Sequence, residues 1–252
     1  MLRGFWKLTW VETKVFIREP MGVIGTLFIP VVMYLVLGRT FGLQRSTALT
    51  SGLSTASTPP FNLAILSALF IAISAAISLV AIISIYREGG ILKRLRATPL
   101  SPITILGAHV FLKLVFTVIG LGLLVLAGRQ SFPGAMQVNV LSFTGAVLLS
   151  ALSILSLGFI VASLVPTARF AQPLSAAVFY PMVAVSGLFF PVDRLPPFVR
   201  AISTVLPTTH AVALMQGVWN GAGSSALVGD ALSLVVIAAV SVAISTRVFR
   251  WE

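Results

Sequence analysis

The sequence predicts an all-α integral membrane protein with six transmembrane helices. Of its 252 residues, 58% are hydrophobic and only 9% are charged, and the mean hydropathy is +1.05. Soluble domains carry about 25% charged and about 45–50% apolar residues. The apolar residues also form continuous runs instead of alternating with polar ones, which favours helices over the strands of a membrane barrel.

Six of these runs approach the roughly 20 residues that cross about 30 Å of hydrocarbon. Lipid offers no partners to backbone polar groups, so each run is expected to be helical. Asn62 is placed to cap the second span, and Asp230 is expected to cap the outer end of the sixth. The six predicted spans cover residues 21–37, 61–86, 107–127, 140–164, 173–190 and 231–248.

The basic residues predict the orientation. With the N-terminus inside, eleven of the 17 Lys and Arg residues fall in cytoplasmic segments and five in external ones. Such a bias is typical of cytoplasmic loops, so both termini are expected in the cytoplasm, with the chain integral to the cytoplasmic (inner) membrane. Topology therefore explains the net charge of +11, and no nucleic acid partner is expected.

Residues 1–20 predict a separate helix in the cytoplasmic interface of the membrane. Four cations recur at spacings of 4, 7 and 4 residues, which places them on one helical face next to lipid phosphates, with two Trp at headgroup depth. Glu12 lies on the less basic side and is expected to face protein. A plain pre-membrane anchor is the alternative. This interfacial helix comprises Arg3, Trp6, Lys7, Trp10, Lys14 and Arg18.

Residues 87–106 predict a short amphipathic helix in the cytoplasm. A Gly-Gly break precedes a basic and apolar stretch, which ends at a Thr-Pro pair. Ser101 is expected to cap the following helix, with Pro102 at its first position. The alternative is a loop that only sets topology. The residues singled out are Glu88, Gly90, Leu92, Lys93, Arg94, Leu95, Arg96, Thr98, Pro99, Leu100 and Ser101.

Residues 191–222 are apolar but contain four prolines, which exclude one straight span. Two short helices, near 196–204 and 207–219, are expected to dip into the outer leaflet as re-entrant segments. His210 is expected to contact headgroups or to cap a helix, or to line an outer exit. The residues of this outer region are Gly187, Pro191, Leu206, Pro207 and His210.

Two polar residues occupy the beginning of the third span. Lys113 is expected to extend to the cytoplasmic face along its methylene stem, and a partner inside a cavity is the alternative. His109 is expected at the same interface. The apolar spans carry no buried acid, so a proton relay has no support.

The chain lacks the motifs of common active sites. No Lys follows a Gly, so a Walker A loop is absent, as are H-E-x-x-H and G-x-S-x-G. With no Cys, two His and six acidic residues, neither a metal site nor a hydrolytic site is expected. We therefore predict that the chain is not an enzyme, and that any ATP is held by another polypeptide.

Residues 88–102, which read EGGILKRLRATPLSP, resemble the loop after the second span of ABC-2 type permeases. The likeness is to the drug- and polysaccharide-export class, particularly its daunorubicin-resistance-like branch. Gly187 and Pro191 resemble the Gly-x-x-x-Pro turn of the family, and Leu206-Pro207 its entry into re-entrant helices. The resemblance covers essentially the whole chain, as a single domain of residues 1–252.

The resemblance implies a permease subunit whose loop docks on an ABC ATPase. ATP and Mg would be bound by the partner, with no cofactor on this chain. Two ATPase copies, a second permease copy or a sister permease, and membrane lipid are the implied partners. The implied cargo is hydrophobic or amphipathic: a drug, a lipid or a lipid-linked glycan. An ATP-independent channel or secondary carrier, and a membrane enzyme acting on lipids, are the rival functions.

Overall fold

The structure, a computed structural model, describes residues 2–18, 23–50, 62–91, 102–131, 139–165 and 167–248. Within these ranges the chain forms helices and turns and no strand. The predicted all-α fold is therefore confirmed. The predicted coupling residues from Leu92 to Ser101 lie outside the described ranges, so the short amphipathic helix expected there stays a prediction.

The described ranges contain nine α-helices and two shorter helical elements. A π-helical segment, Ile24–Phe28, leads directly into α2. The short 3₁₀ turn Val192–Arg194 precedes α7. The α-helices are α1 (Leu2–Arg18), α2 (Ile29–Thr50), α3 (Leu63–Glu88), α4 (Pro102–Ser131), α5 (Val140–Leu164), α6 (Ala168–Ala184), α7 (Pro197–Ser203), α8 (Pro207–Trp219) and α9 (Ser224–Val248).

Four described helices are long and apolar enough to cross a bilayer. They are α3, α5, Gly107–Ser131 of α4 and Ser225–Ser245 of α9, with mean hydropathies of 2.4 to 2.7. The α7–α8 pair, bent by 77°, counts as a fifth if it is one broken span. These lengths agree with an integral membrane protein, but they do not confirm the predicted count of six.

The other two predicted spans, residues 21–37 and 173–190, correspond to shorter helices. The apolar helix in the region of residues 21–37 is the shorter Ile24–Thr40. The predicted span 173–190 corresponds to the 17-residue α6, which contains Pro173 and Pro181. α6 ends at Ala184, because Gly187 follows with φ +84° and a helix cannot continue through that conformation. The apolar run continues past Ala184, so hydropathy placed the end of this predicted span too far along the chain.

The centre of the bundle is the contact between α3 and α5. Side chains on this face of α3, such as Ala68, Leu69, Ala76 and Leu79, are fully buried. At Gly158 of α5, an added Cβ would lie 3.6 Å from the Ala76 carbonyl oxygen. α8 and α9 pack on α5, while α2, α4 and α6 pack on α3. Small residues thus bring the two central helices close together.

Caps place several helix ends where the sequence predicts them. The Asn62 side chain accepts hydrogen bonds from the Ala64 and Ile65 amides at 2.9 and 3.3 Å, which confirms its capping role. α3 ends at a Gly pair, where Gly90 has φ +66°, and α4 begins at Pro102. We call the end of the bundle that carries α1, the end of α3 and the start of α6 the proximal end, and the end with α7 and α8 the distal end.

Candidate functional site

α1 is amphipathic and packs on α4 at the proximal end. The Phe5 and Phe111 rings lie 5.7 Å apart, and the Phe16 and Phe116 rings 4.2 Å apart. Trp6 also meets the Phe111 ring edge-on at 5.8 Å, but Trp6 and Trp10 remain 58% and 62% exposed. Lys7, Lys14 and Arg18 are exposed as well, and Arg3 belongs to the same helix. The helix therefore packs aromatic side chains on α4 and leaves its described cations and much of its indole surface exposed.

A buried polar cluster lies under α1. Glu12 is 5% exposed, and the Tyr86 hydroxyl donates a 2.7 Å hydrogen bond to its Oε1. His109 Nδ1 lies 3.7 Å from the other carboxylate oxygen, and its ring meets Tyr86 edge-on at 5.5 Å between centroids. The expectation that Glu12 faces protein is confirmed. His109 is 2% exposed because α1 covers it, and its predicted depth at the membrane interface stays a prediction.

Lys113 is buried instead of extending to the proximal surface. Its side chain is 4% exposed. Its Nζ donates a 2.7 Å hydrogen bond to Ser78 Oγ on α3 and lies 4.5 Å from the centre of the Phe16 ring. The expectation of a snorkelling lysine is therefore wrong, and the alternative, a partner inside a cavity, is what the structure shows.

A cavity of about 730 Å³ opens between α1, the π-helical segment, α3, α4 and α6. Its lining combines ionisable side chains with aliphatic side chains of α3, including Ile77 and Ile82. From α6, Gln172 and Tyr180 complete the wall. The ionisable residues that line the cavity are Glu12, Arg18, His109 and Lys113.

The last two residues of α3 bind the turn between α5 and α6. The Arg87 guanidinium donates to the Ala162 carbonyl at 3.2 Å and to the Val165 carbonyl. The Glu88 carboxylate accepts a 2.7 Å hydrogen bond from the Ala168 amide, the first of α6. A cation thus lies at the C-terminus of α5 and an anion at the N-terminus of α6, as the helix dipoles favour.

The distal end is held by hydroxyl groups of the proline-rich region. Ser203 donates to the Val185 carbonyl at 2.8 Å, and Thr208 to the Met182 carbonyl at 3.0 Å. These bonds fasten α7 and α8 to the end of α6. Pro191 starts the 3₁₀ turn, and Leu206-Pro207 opens α8, so the expected break into two short helices is observed.

His210 pairs with Asp230 at this end. Its Nδ1 lies 2.9 Å from Asp230 Oδ1, and its Nε2 lies 3.0 Å from the Thr204 carbonyl oxygen. The expectation that Asp230 caps the last span is wrong, because α9 begins six residues earlier, at Ser224. Thr204 is the C-cap residue of α7, so the contact of His210 with its carbonyl agrees with the capping alternative. Contact with headgroups and an outer exit stay predictions.

Sequence reasoning did not predict the Glu12–Tyr86–His109 cluster. A signal was available, since a single acid on the apolar side of a basic helix needs a buried partner. Within the described ranges, no group of three or more His, Cys, Asp or Glu residues could hold a metal ion.

These features define a class: an integral membrane protein built as an all-helical bundle, with a cavity that opens beside a buried polar cluster. Comparison with known families matches residues 3–219 to the ABC-2 type transporter family. This match covers most of the chain, and the chain belongs to the ABC-2 type transporter family.

A relative with a partial match is Nodulation protein J of Neorhizobium galegae. It is 33% identical over 70 residues, which are 28% of this chain and 27% of that protein. The matched stretch thus spans little more than a quarter of the relative. Membership of the family is consistent with a membrane subunit of an ABC transporter.

Proposed function

We propose that the chain is the permease subunit of an ATP-driven exporter in the cytoplasmic (inner) membrane. It moves a hydrophobic or amphipathic substrate, and the energy comes from separate ATPase subunits that bind ATP and Mg. Both termini face the cytoplasm, so the proximal end is cytoplasmic. Two ATPase copies and a second permease copy, or a sister permease, complete the transporter.

The attachment of α3 to the α5–α6 turn carries this proposal. Arg87 and Glu88 immediately precede the 89–101 connection, and each binds backbone groups of the turn. A displacement of the end of α3 therefore moves the start of α6 as well. A partner that pushes on the connection acts on two helices at once.

The same two helices form walls of the cavity. α3 contributes Ser78 and Ile82, and α6 contributes Gln172 and Tyr180. Movement of the proximal ends of α3 and α6 relative to α4 would change the width of the cavity. The proposed path of force thus runs from the ATPase, through the connection and Arg87–Glu88, to the substrate cavity.

Within this proposal the coupling residues contact the ATPase. Leu92 and Leu95 supply apolar contacts, and Lys93, Arg94 and Arg96 supply charge. The interfacial helix anchors the proximal end to anionic lipid through its outward cations. At the distal end, Gly187, Pro191 and the α7–α8 pair form the outer re-entrant region near which substrate leaves.

Co-purification with an ABC ATPase tests the proposal. The chain is co-expressed with an ABC ATPase subunit from the same genome, purified, and reconstituted, and ATP hydrolysis is measured over a series of amphipathic compounds. We expect stable association and substrate-stimulated hydrolysis. A chain that transports without an ATPase would contradict the proposal and favour a channel or secondary carrier.

Orientation is tested separately by thiol labelling. The chain contains no Cys, so Arg94→Cys introduces a unique thiol. A membrane-impermeant maleimide should not label it in intact cells but should label it in inverted vesicles. Labelling from outside intact cells would exclude an ATPase contact at this segment.

A further inference from the structure

The π-helical segment Ile24–Phe28 changes the backbone hydrogen bonds where the chain enters α2. The Ile29 amide donates to the Ile24 carbonyl, five residues back, and not to the Gly25 carbonyl, which is its partner in an α-helix. The next residue is Pro30, which has no N–H to donate. The Gly25 carbonyl therefore loses both its α-helical donor, Ile29, and its π-helical donor, Pro30.

The affected backbone lies in the wall of the cavity. Gly25 and Thr26 both line this space of about 730 Å³, and the Thr26 carbonyl also loses an α-helical donor, since that donor is Pro30. Gly25 has no side chain, so it contributes backbone atoms to the wall. No atom of the described residues lies within 4 Å of a Cβ added there, and none of their side chains donates to Gly25.

Packing holds the π-helical segment in this register. Thr26 and Leu27 are 3% and 6% exposed. Leu27 clusters with Phe16 of α1 and Phe116 of α4, and a Cβ added to Gly120 of α4 would lie 3.2 Å from Leu27 Cδ2. A return to α-helical bonding would turn the segment by about 100° and take Leu27 out of this cluster. The missing backbone bonds are therefore a fixed feature of the fold.

A carbonyl group without a backbone donor needs another partner inside a membrane protein. Carbonyls freed by a proline are satisfied there by neighbouring side chains, by water or by other groups that line a cavity. A cavity of this size falls in the range of small-molecule sites, about 300–1,000 Å³. A bound molecule can therefore reach Gly25 and supply the donor.

We propose that the Gly25 and Thr26 carbonyls bind a hydrogen-bond donor, a hydroxyl or an N–H group, of the molecule that occupies the cavity. The donor replaces the amide that Pro30 lacks. A molecule without such a group would leave the carbonyls unpaired. This assignment rests on the proposed function, because it names a chemical group that the transported substrate carries.

The Gly25 carbonyl can be observed alone, because the sequence contains a single Gly-Thr pair, Gly25-Thr26. The full chain is labelled with ¹³C at glycine carbonyls and ¹⁵N at threonine amides, so only this carbonyl is bonded to a labelled nitrogen. It is studied by NMR in phosphatidylcholine nanodiscs without an ATPase. The phosphatidylcholine headgroup carries no hydrogen-bond donor and does not compete.

The probe is dodecanol, and dodecyl methyl ether is the matched compound without a donor. We expect dodecanol to move the Gly25 ¹³C signal downfield, as acceptance of a hydrogen bond does, and the ether to leave it in place. Dodecylamine separates the donor classes. A shift with dodecanol alone restricts the site to hydroxyls, and a shift with the amine as well extends it to N–H groups. Both results support a donor at this carbonyl.

Variants assign the effect to the missing amide. Pro30→Ala supplies a backbone donor to Gly25 in either helical register, and Pro30 itself is outside the cavity lining. We expect the Gly25 signal to lie downfield before any probe is added, and the response to dodecanol to be lost. Pro181→Ala is the matched control, because Pro181 also lies within a helix and outside the lining. Ile77→Trp, which narrows the cavity from α3, should reduce the response.

A Gly25 signal that neither dodecanol nor dodecylamine moves, or that the ether moves equally, would overturn the proposal. If Pro30→Ala does not fold, this comparison on the unaltered chain decides by itself. These results leave the ATPase association measured above untouched, so the permease function would stand. Conversely, a donor response at Gly25 in a chain that associates with no ATPase would keep the site and refute the exporter.

Discussion

His210 and Asp230 connect α8 to α9 through a hydrogen bond of 2.9 Å between Nδ1 and Oδ1. The other ring nitrogen lies 3.0 Å from the Thr204 carbonyl oxygen. The ring therefore contacts an acceptor on α9 and an acceptor at the end of α7. One side chain thereby holds the α7–α8 turn against the last helix.

The pair should be energetically coupled. Both side chains are partly exposed, at 21% and 29%, so we expect His210→Ala and Asp230→Ala each to lower stability by about 1 kcal/mol. Because each removes the same bond, the double variant should cost less than the sum. Thermal unfolding of the purified single and double variants measures this coupling. If the two single losses of stability simply add in the double variant, the pair contributes no coupling energy.

The contact between Glu88 and the Ala168 amide should transmit force. We expect Glu88→Ala to reduce transport while the ATPase subunit still co-purifies, because the start of α6 no longer follows the end of α3. Glu88→Gln keeps an acceptor oxygen and should retain most activity. Arg169→Ala, which removes an exposed charge one residue beyond Ala168, is the control. Transport unchanged in Glu88→Ala would refute this path.

The Tyr86–Glu12 bond should contribute to the attachment of α1. Removal of the hydroxyl in Tyr86→Phe takes a donor from a carboxylate that is 5% exposed, which should cost about 1–3 kcal/mol. Tyr180→Phe is the control, since Tyr180 is 49% exposed, and it should be nearly neutral. Limited proteolysis within α1 and the thermal midpoint report the effect. Equal midpoints for the two variants would contradict it.

Gly187 should not tolerate a side chain. Its φ is +84°, and an added Cβ would lie 2.9 Å from Val192 Cγ2. Gly187→Ala should therefore lower stability by more than about 1 kcal/mol. Gly229→Ala is the matched control, because that glycine is helical and has nothing within 4 Å of the added atom. It should be neutral or stabilising by up to about 1 kcal/mol.

Helix positions were largely predictable, because the signals for them are local. The predicted span 61–86 became Leu63–Glu88, and the predicted span 140–164 is α5 itself. Asn62 and the Gly89-Gly90 pair mark ends that any isolated helix would share. Where the local signal is ambiguous, as after Ala184, the hydropathy run continued through a turn and the span was placed too far along the chain.

The candidate site was predictable only in part. Glu88 and Gly90 were singled out from the sequence, but the bond from Ala168 to Glu88 joins residues 80 apart. Lys113 was expected to reach the cytoplasmic face, because it lies near the beginning of the third predicted span. No sequence pattern shows that α1 folds over that surface, because the covering depends on Phe5 and Phe16 meeting the α4 aromatics.

By itself, the sequence determined that this chain is an integral membrane protein, where most of its helices lie and to which family it belongs. Those properties follow from hydropathy, capping and motif, which short stretches of chain carry alone. Only the tertiary structure decided that Glu12, Tyr86 and His109 form one cluster, that Lys113 lines a cavity, and that Asp230 pairs with His210. Such pairings join residues up to 97 positions apart, and the packing of whole helices, not the local sequence, sets which of them meet.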